Sequence, residues 1–183
     1  MSTPNCLATI VGIGNPLFGD DRAGYCVVEG LRRCTSSSVC FYTVEVLSPA
    51  DTWLLDNTRV AVLIDTVKDQ SLRIGSISVY RVDPSMLSRK ELGEVLGSLD
   101  PHEFDPVRLV LLAYASGTSS SDVFIVGIRG ASFGLGDSMS KPVAEALHSV
   151  VEKIASILED YGVNLVVDNS CLREWFFKCT SSL

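Results

Sequence analysis

Three observations predict an α/β fold: a three-layer α/β/α sandwich around a twisted, mostly parallel sheet of about five strands, with one strand antiparallel or at an edge. Apolar runs at residues 6–13, 60–64 and 123–128 have the composition of strands covered on both faces. Segments of helical periodicity alternate with them, most clearly at 141–161, where Val143, Leu147, Val150, Val151, Ile154, Ile157 and Leu158 recur at i, i+3, i+4 and i+7. Residues 75–82 instead alternate apolar with polar, the pattern of a half-exposed edge strand.

Strand one, 6–13, runs into Gly12 and Gly14, then a turn of Asn15, Pro16 and Gly19, then two acids that open a helix. Asp20 or Asp21 can cap that helix, and Cys26, Val27, Val28 and Leu31 form its apolar stripe. Residues 39–47, rich in β-branched and aromatic side chains, read as strand two. Ser48 caps a short helix at 49–56 that starts on Pro49 and packs Trp53, Leu54 and Leu55 inward. The strand at 60–64 ends on Asp65. Residues 86–99 can form a helix, 100–103 a loop, and Asp105 with Pro106 opens a further helix carrying Val107, Val110 and Leu111. Residues 117–121 and 130–136 are loops of small residues around the strand at 123–128. Ser140 can cap the long helix and Gly162 stops it. One more strand at 165–167 is expected, and the aromatic tail at 175–177 has no assigned place.

Length and composition give one domain, 1–183: 46% hydrophobic and 20% charged residues suit a folded chain, and no repeat or linker divides it. A net charge of −7 leaves no basic surplus for a nucleic-acid partner. Residues 1–5 lack a basic leader, and no stretch reaches the ~18 apolar residues needed to span a bilayer. The expected location is the cytoplasm. Six cysteines show neither C-x-x-C nor zinc spacing, so ordinary reduced thiols are expected, with disulfides the alternative for a hyperthermophile source.

In this fold class, ligands bind at the carboxyl ends of the strands. Asp21 follows strand one and Asp65 ends the 60–64 strand, while His102 lies in a loop able to reach the same edge. Two carboxylates and an imidazole suit a divalent metal with open positions, or activation of water by acid and base. Each residue also has a plainer role: Asp21 as a helix cap, Asp65 as a turn acceptor, His102 on the surface. The acids at helix entry oppose a phosphate, which disfavours a nucleotide site. His148, mid-helix, has no role, and Asp51, Asp56, Asp83, Glu91 and Glu94 read as solvated surface.

The segment Gly12-Ile13-Gly14-Asn15-Pro16-Leu17-Phe18-Gly19-Asp20-Asp21-Arg22-Ala23-Gly24 resembles the G-x-G-N-x-L-x-x-D-[DE]-x-x-G signature of the hydrogenase maturation proteases. Val62-Leu63-Ile64-Asp65 resembles the family's second strand-end aspartate, Pro101-His102 its histidine loop, and Gly127 with the segment from Met139 to Val143 its C-terminal half; together they cover about residues 7–160. The resemblance implies an α/β/α sandwich. It also implies an endopeptidase, aspartic-type by family, that removes a C-terminal extension from a nickel–iron hydrogenase large-subunit precursor after nickel insertion. Asp21, Asp65 and His102 would then be both the catalytic and the metal-binding trio, with nickel supplied by the precursor. Whether metal or an aspartate activates water stays open. One departure stands out: the family's Asp-Gly-Gly-Thr-like loop after strand two is replaced by residues 45–51, with Glu45 an approximate stand-in and the glycines absent. This departure leaves room for a relative that binds precursor or metal without cutting. Gly-Ile-Gly-Asn-Pro also resembles the start of peptidyl-tRNA hydrolases, but no histidine follows before His102.

Overall fold

The computed structural model describes residues 6–97, 104–117 and 122–181. Its strands are β1 (Ala8–Ile13), β2 (Val39–Val44), β3 (Val60–Val67), β4 (Ile77–Val82) and β5 (Asp122–Arg129), and its α-helices are α1 (Ala23–Cys34), α2 (Arg89–Gly97), α3 (Pro106–Ser116), α4 (Lys141–Asp160) and α5 (Asn169–Ser181). The sheet order is β2-β1-β3-β5-β4. Neighbours are parallel except β4, which joins the edge antiparallel to β5. The mixed three-layer sandwich is as expected.

Strand alternation decides which layer each residue builds. Ala8 and Ile10 of β1, Val62 and Ile64 of β3, and Val126 and Ile128 of β5 pack against α1, α4 and α5. Val11 and Ile13, Ala61 and Leu63, and Val123 and Ile125 pack against α3 and the 3-10 segment Pro49–Leu55. The expected stripe of α4 is buried in full, and Gly162 ends that helix with φ +73°. Asp105 caps α3, its Oδ1 accepting from the N–H of Arg108 at 2.8 Å.

Several local expectations are corrected. β2 stops at Val44, and β3 runs past Asp65 to Val67. Ser48 does hold the N-cap position of Pro49–Leu55, in a capping box where Asp51 Oδ2 accepts its N–H and its hydroxyl at 2.7 Å. Leu54 and Leu55 are buried, but Trp53 is 43% exposed and rests edge-on against Tyr42. Residues 165–167 add no strand to the sheet and make only a single antiparallel bridge, Thr35 with Val167. The loop expected at 100–103 and most of that at 117–121 lie outside the described residues.

The aromatic tail is α5. It lies across α1, burying Leu172 and Phe176, and the indole N–H of Trp175 donates to the carbonyl of Cys26 at 2.8 Å. The helices approach closely at Gly30, where a Cβ would stand 2.7 Å from Trp175 and 2.9 Å from Leu172.

The cysteines overturn the reduced-thiol expectation. All six are bonded: Cys6–Cys40 joins β2 to the segment before β1, while Cys26–Cys179 and Cys34–Cys171 staple α5 to α1. Their Cα separations of 5.6–6.0 Å lie at the usual disulfide spacing. Spacing along the chain carried no sign of this, because partners lie 34, 137 and 153 residues apart and meet only through the fold.

Loops of that length give each bond, taken singly, about 4–5 kcal/mol of stabilisation in the chain-entropy model. The unreduced protein, denatured, should therefore show no thiol reactive toward Ellman's reagent. Reduction should expose six and lower the melting temperature by more than ~10 °C. Six free thiols before reduction would contradict the pairing.

Candidate active site

The chain leaves β1 on one face and reaches β2 through α1, then returns through Pro49–Leu55 on the other face to β3, on the far side of β1. The winding reverses between β1 and β3, so their carboxyl ends form the switch-point crevice in which sheets of this kind bind ligands. Two glycines allow the loop after β1 to turn tightly there. Gly14 has φ +125°, and a Cβ on it would lie 1.9 Å from the carbonyl oxygen of Asp21. A Cβ on Gly24 would meet the Ile13 carbonyl at 2.5 Å and that of Ile64 at 2.8 Å, so α1 starts directly on the sheet.

The two adjacent acids diverge. Neither caps α1, as the sequence suggested, because a 3-10 turn at Asp20–Arg22 precedes that helix. Asp20 turns inward and is fully buried. Its carboxylate accepts from the N–H groups of Ala131, Ser132 and Ser140 at 2.6, 3.0 and 2.6 Å and from the Ser140 hydroxyl at 2.9 Å. Its own N–H donates to the Ser132 carbonyl at 2.6 Å. Ser140 therefore does not cap α4 with its side chain; its donors serve Asp20. Arg22 adds a second tie, its guanidinium donating to the Asp137 carbonyl at 2.8 Å.

Asp21 turns into the crevice. One carboxylate oxygen accepts the Asn15 N–H at 2.8 Å, and the other accepts the Thr66 hydroxyl at 3.3 Å. The Thr66 N–H in turn donates to Asp65 at 2.8 Å. One residue of β3 thus connects both predicted aspartates. Asn15 also donates from its side chain to Glu45 at 3.1 Å, so Glu45 stands at the rim of the site.

Burial pushes the Asp65 carboxyl up to about 7 despite the opposing Thr66 N–H, with the Asp21 and Asp105 charges adding to the rise. The Tyr80 phenol is also raised, by burial and then by the Asp105 and Asp65 charges. Asp65, Asp105 and Tyr80 therefore share one electrostatic neighbourhood, on the face of the sheet that α3 covers.

Asp21 and Asp65 both reach Thr66, one at its hydroxyl and the other at its N–H. His102 lies outside the described residues. Among those described, no group of three or more His, Cys, Asp or Glu side chains is arranged to hold a metal ion. His148, given no role, packs edge-on against Phe176. Sequence reasoning missed Thr66, whose side chain carried no motif, and the division of labour between Asp20 and Asp21. The only hint of Thr66 was its place beside a strand-end acid.

Asp20→Ala would strand three buried N–H donors and a hydroxyl, and should cost about 3–5 kcal/mol in urea unfolding. A change below 1 kcal/mol would show that Asp20 does not hold the loops. A carboxyl that titrates higher folded than unfolded makes the native state bind more protons, so stability falls as pH rises from about 4 to about 7. The full effect is about 4 kcal/mol at most. Asp65→Asn should flatten that fall, whereas the same pH slope in both proteins would count against a buried, late-titrating Asp65.

No protein-family model and no curated protein sequence matches this chain. Solved structures do. The hydrogenase maturating endopeptidase HybD from E. coli superposes with a TM-score of 0.70 at 15% identity, over 89% of this chain and 98% of that one. The [NiFe] hydrogenase maturation protease HycI from Thermococcus kodakarensis KOD1 gives 0.61 at 23% identity, over 86% and 95%. The hydrogenase 2 maturation peptidase from Thaumarchaeota archaeon SCGC_AB-539-E09 gives 0.61 at 22% identity, over 82% and 97%. The chain has the fold of the hydrogenase maturation endopeptidases, nearly end to end of each.

Proposed function

We propose that this protein is a processing endopeptidase that removes a C-terminal extension from a nickel-loaded nickel–iron hydrogenase large-subunit precursor. The observation that carries the reading is the pairing of Asp21 and Asp65 through Thr66 at the switch crevice, in the fold of the hydrogenase maturation endopeptidases. The complete first motif supports it independently.

Hydrolysis of a peptide bond needs a proton taken from water and a proton given to the leaving amine. Asp65, with a carboxyl titrating near 7, is suited to both steps at neutral pH. Asp21, ordered by Asn15 and Thr66, and His102 complete the set that meets the precursor's nickel. Recognition of the loaded precursor through its metal makes binding energy conditional on maturation, which is a specificity device. Nickel stays the substrate's throughout. The working place in this reading is the cytoplasm, in a cell whose interior tolerates three disulfides. Among the described residues, no helix is long and apolar enough to cross a membrane.

A second reading, a relative that binds precursor without cutting, draws on one observation: Glu45 on Asn15, where the family carries glycines. One experiment separates the two. Incubated with nickel-loaded precursor, the purified protein should release the extension, read by mass spectrometry. Asp21→Ala, Asp65→Ala and His102→Ala should each lower kcat/KM by at least ~100-fold with the fold retained by circular dichroism, and Glu91→Ala should leave it unchanged. Normal processing by all three site variants would discard the trio. Stable binding without cleavage by the unmodified protein would favour the second reading.

A further inference from the structure

A groove of about 290 Å³ lies beside the loop that carries Asp21, lined by Pro16, Arg22, Tyr25, Trp175, Lys178 and Cys179. We propose that it seats the C-terminal end of the precursor's extension: apolar side chains lie against Pro16, Tyr25 and Trp175, and the terminal α-carboxylate is held by Lys178. The inference rests on the processing reading above.

Position supports it first. Pro16 adjoins Asn15, whose N–H donates to Asp21, and Arg22 directly follows Asp21. The groove therefore shares part of its wall with the loop that carries Asp21.

Chemistry supports it second. Tyr25 and Trp175 are only partly buried. The Trp175 indole N–H is already satisfied by Cys26 and the Arg33 guanidinium lies over the ring at 4.3 Å, so what Trp175 adds to the lining is apolar ring surface with no unpaired donor. Lys178 donates to Glu174 at 2.6 Å, and both side chains are more than 60% exposed. Such a surface pair is weak and exchanges readily for an incoming carboxylate. In a protein of net charge −7, the residues lining this groove include two cationic side chains, Arg22 and Lys178, and no acid, which is the local exception. A C-terminal extension necessarily ends in a carboxylate, which matches that exception.

Rigidity supports it third. α5 provides one wall of the groove, and Cys26–Cys179 joins the walls from within, since Cys179 is itself a lining residue. Cys34–Cys171 holds the other end of the helix. A groove bonded shut at its base is ordered before the peptide arrives, which lowers the entropic cost of binding.

The test uses Trp175 as its own reporter. The chain has two tryptophans, so a Trp53→Phe background leaves Trp175 as the single emitter. The full-length protein, unreduced, is titrated with N-acetyl-Ala-Val-Pro-Phe bearing a free carboxyl, and with the same peptide as its amide. The acid should shift Trp175 emission saturably and bind about tenfold tighter than the amide, and Lys178→Met should abolish the difference. With nickel-loaded precursor, Lys178→Met should raise KM about tenfold while kcat holds. Equal affinity for acid and amide, or an unmoved emission spectrum, overturns the groove. So does an unchanged KM in a variant that processes precursor normally, and that result leaves the endopeptidase reading standing. Failure of the unmodified protein to cut precursor is read separately, in the mass-spectrometric assay, and counts against the endopeptidase reading itself.

Discussion

The buried carboxylate of Asp20 is the interaction on which the site depends. It gathers donors from residues more than 110 positions away and so ties the turn after β1 to the loop between β5 and α4. An ion without water is costly to bury, and here four donors compensate it. Because Asp20 is held on one side, Asp21 is delivered to the other. The adjacent acids form a hinge point: one anchors, and its neighbour is aimed. A loop of this length held only by its ends would have no reason to keep Asp21 within reach of Thr66.

Electrostatics then differentiates the two crevice carboxylates. Asp65 sits within β3 rather than past its end, under the layer formed by α3, and burial raises its affinity for a proton. The Asp21 and Asp105 charges act in the same direction. A proton acceptor poised near neutrality follows from where the strand places the residue, not from any special partner. Thr66 keeps the pair in fixed relation, with its backbone on one acid and its hydroxyl on the other.

Behind this loop the fold is reinforced covalently. α5 contributes two buried side chains, an indole hydrogen bond and two disulfides to its contact with α1. Helix α1 begins at the site loop, so the staple stabilises the element into which the turn carrying Asp21 runs. The third disulfide secures β2, an edge strand of the sheet, to the segment before β1.

The sequence by itself determined the sandwich, the antiparallel edge at β4, the stripe of α4 and the candidacy of Asp21 and Asp65, since each is written in local periodicity or in a contiguous motif. Residues 102–103, with the expected histidine, lie outside what the structure describes, so that part of the trio rests on the chain alone. Only the tertiary structure decided that Asp20 anchors while Asp21 faces the crevice, that Thr66 joins the acids, that the aromatic tail is a helix on α1, and that every cysteine is paired. Each of these is a contact between residues distant along the chain or a choice between neighbouring side chains. Local pattern cannot record which of two adjacent acids meets a loop far downstream; packing makes that choice.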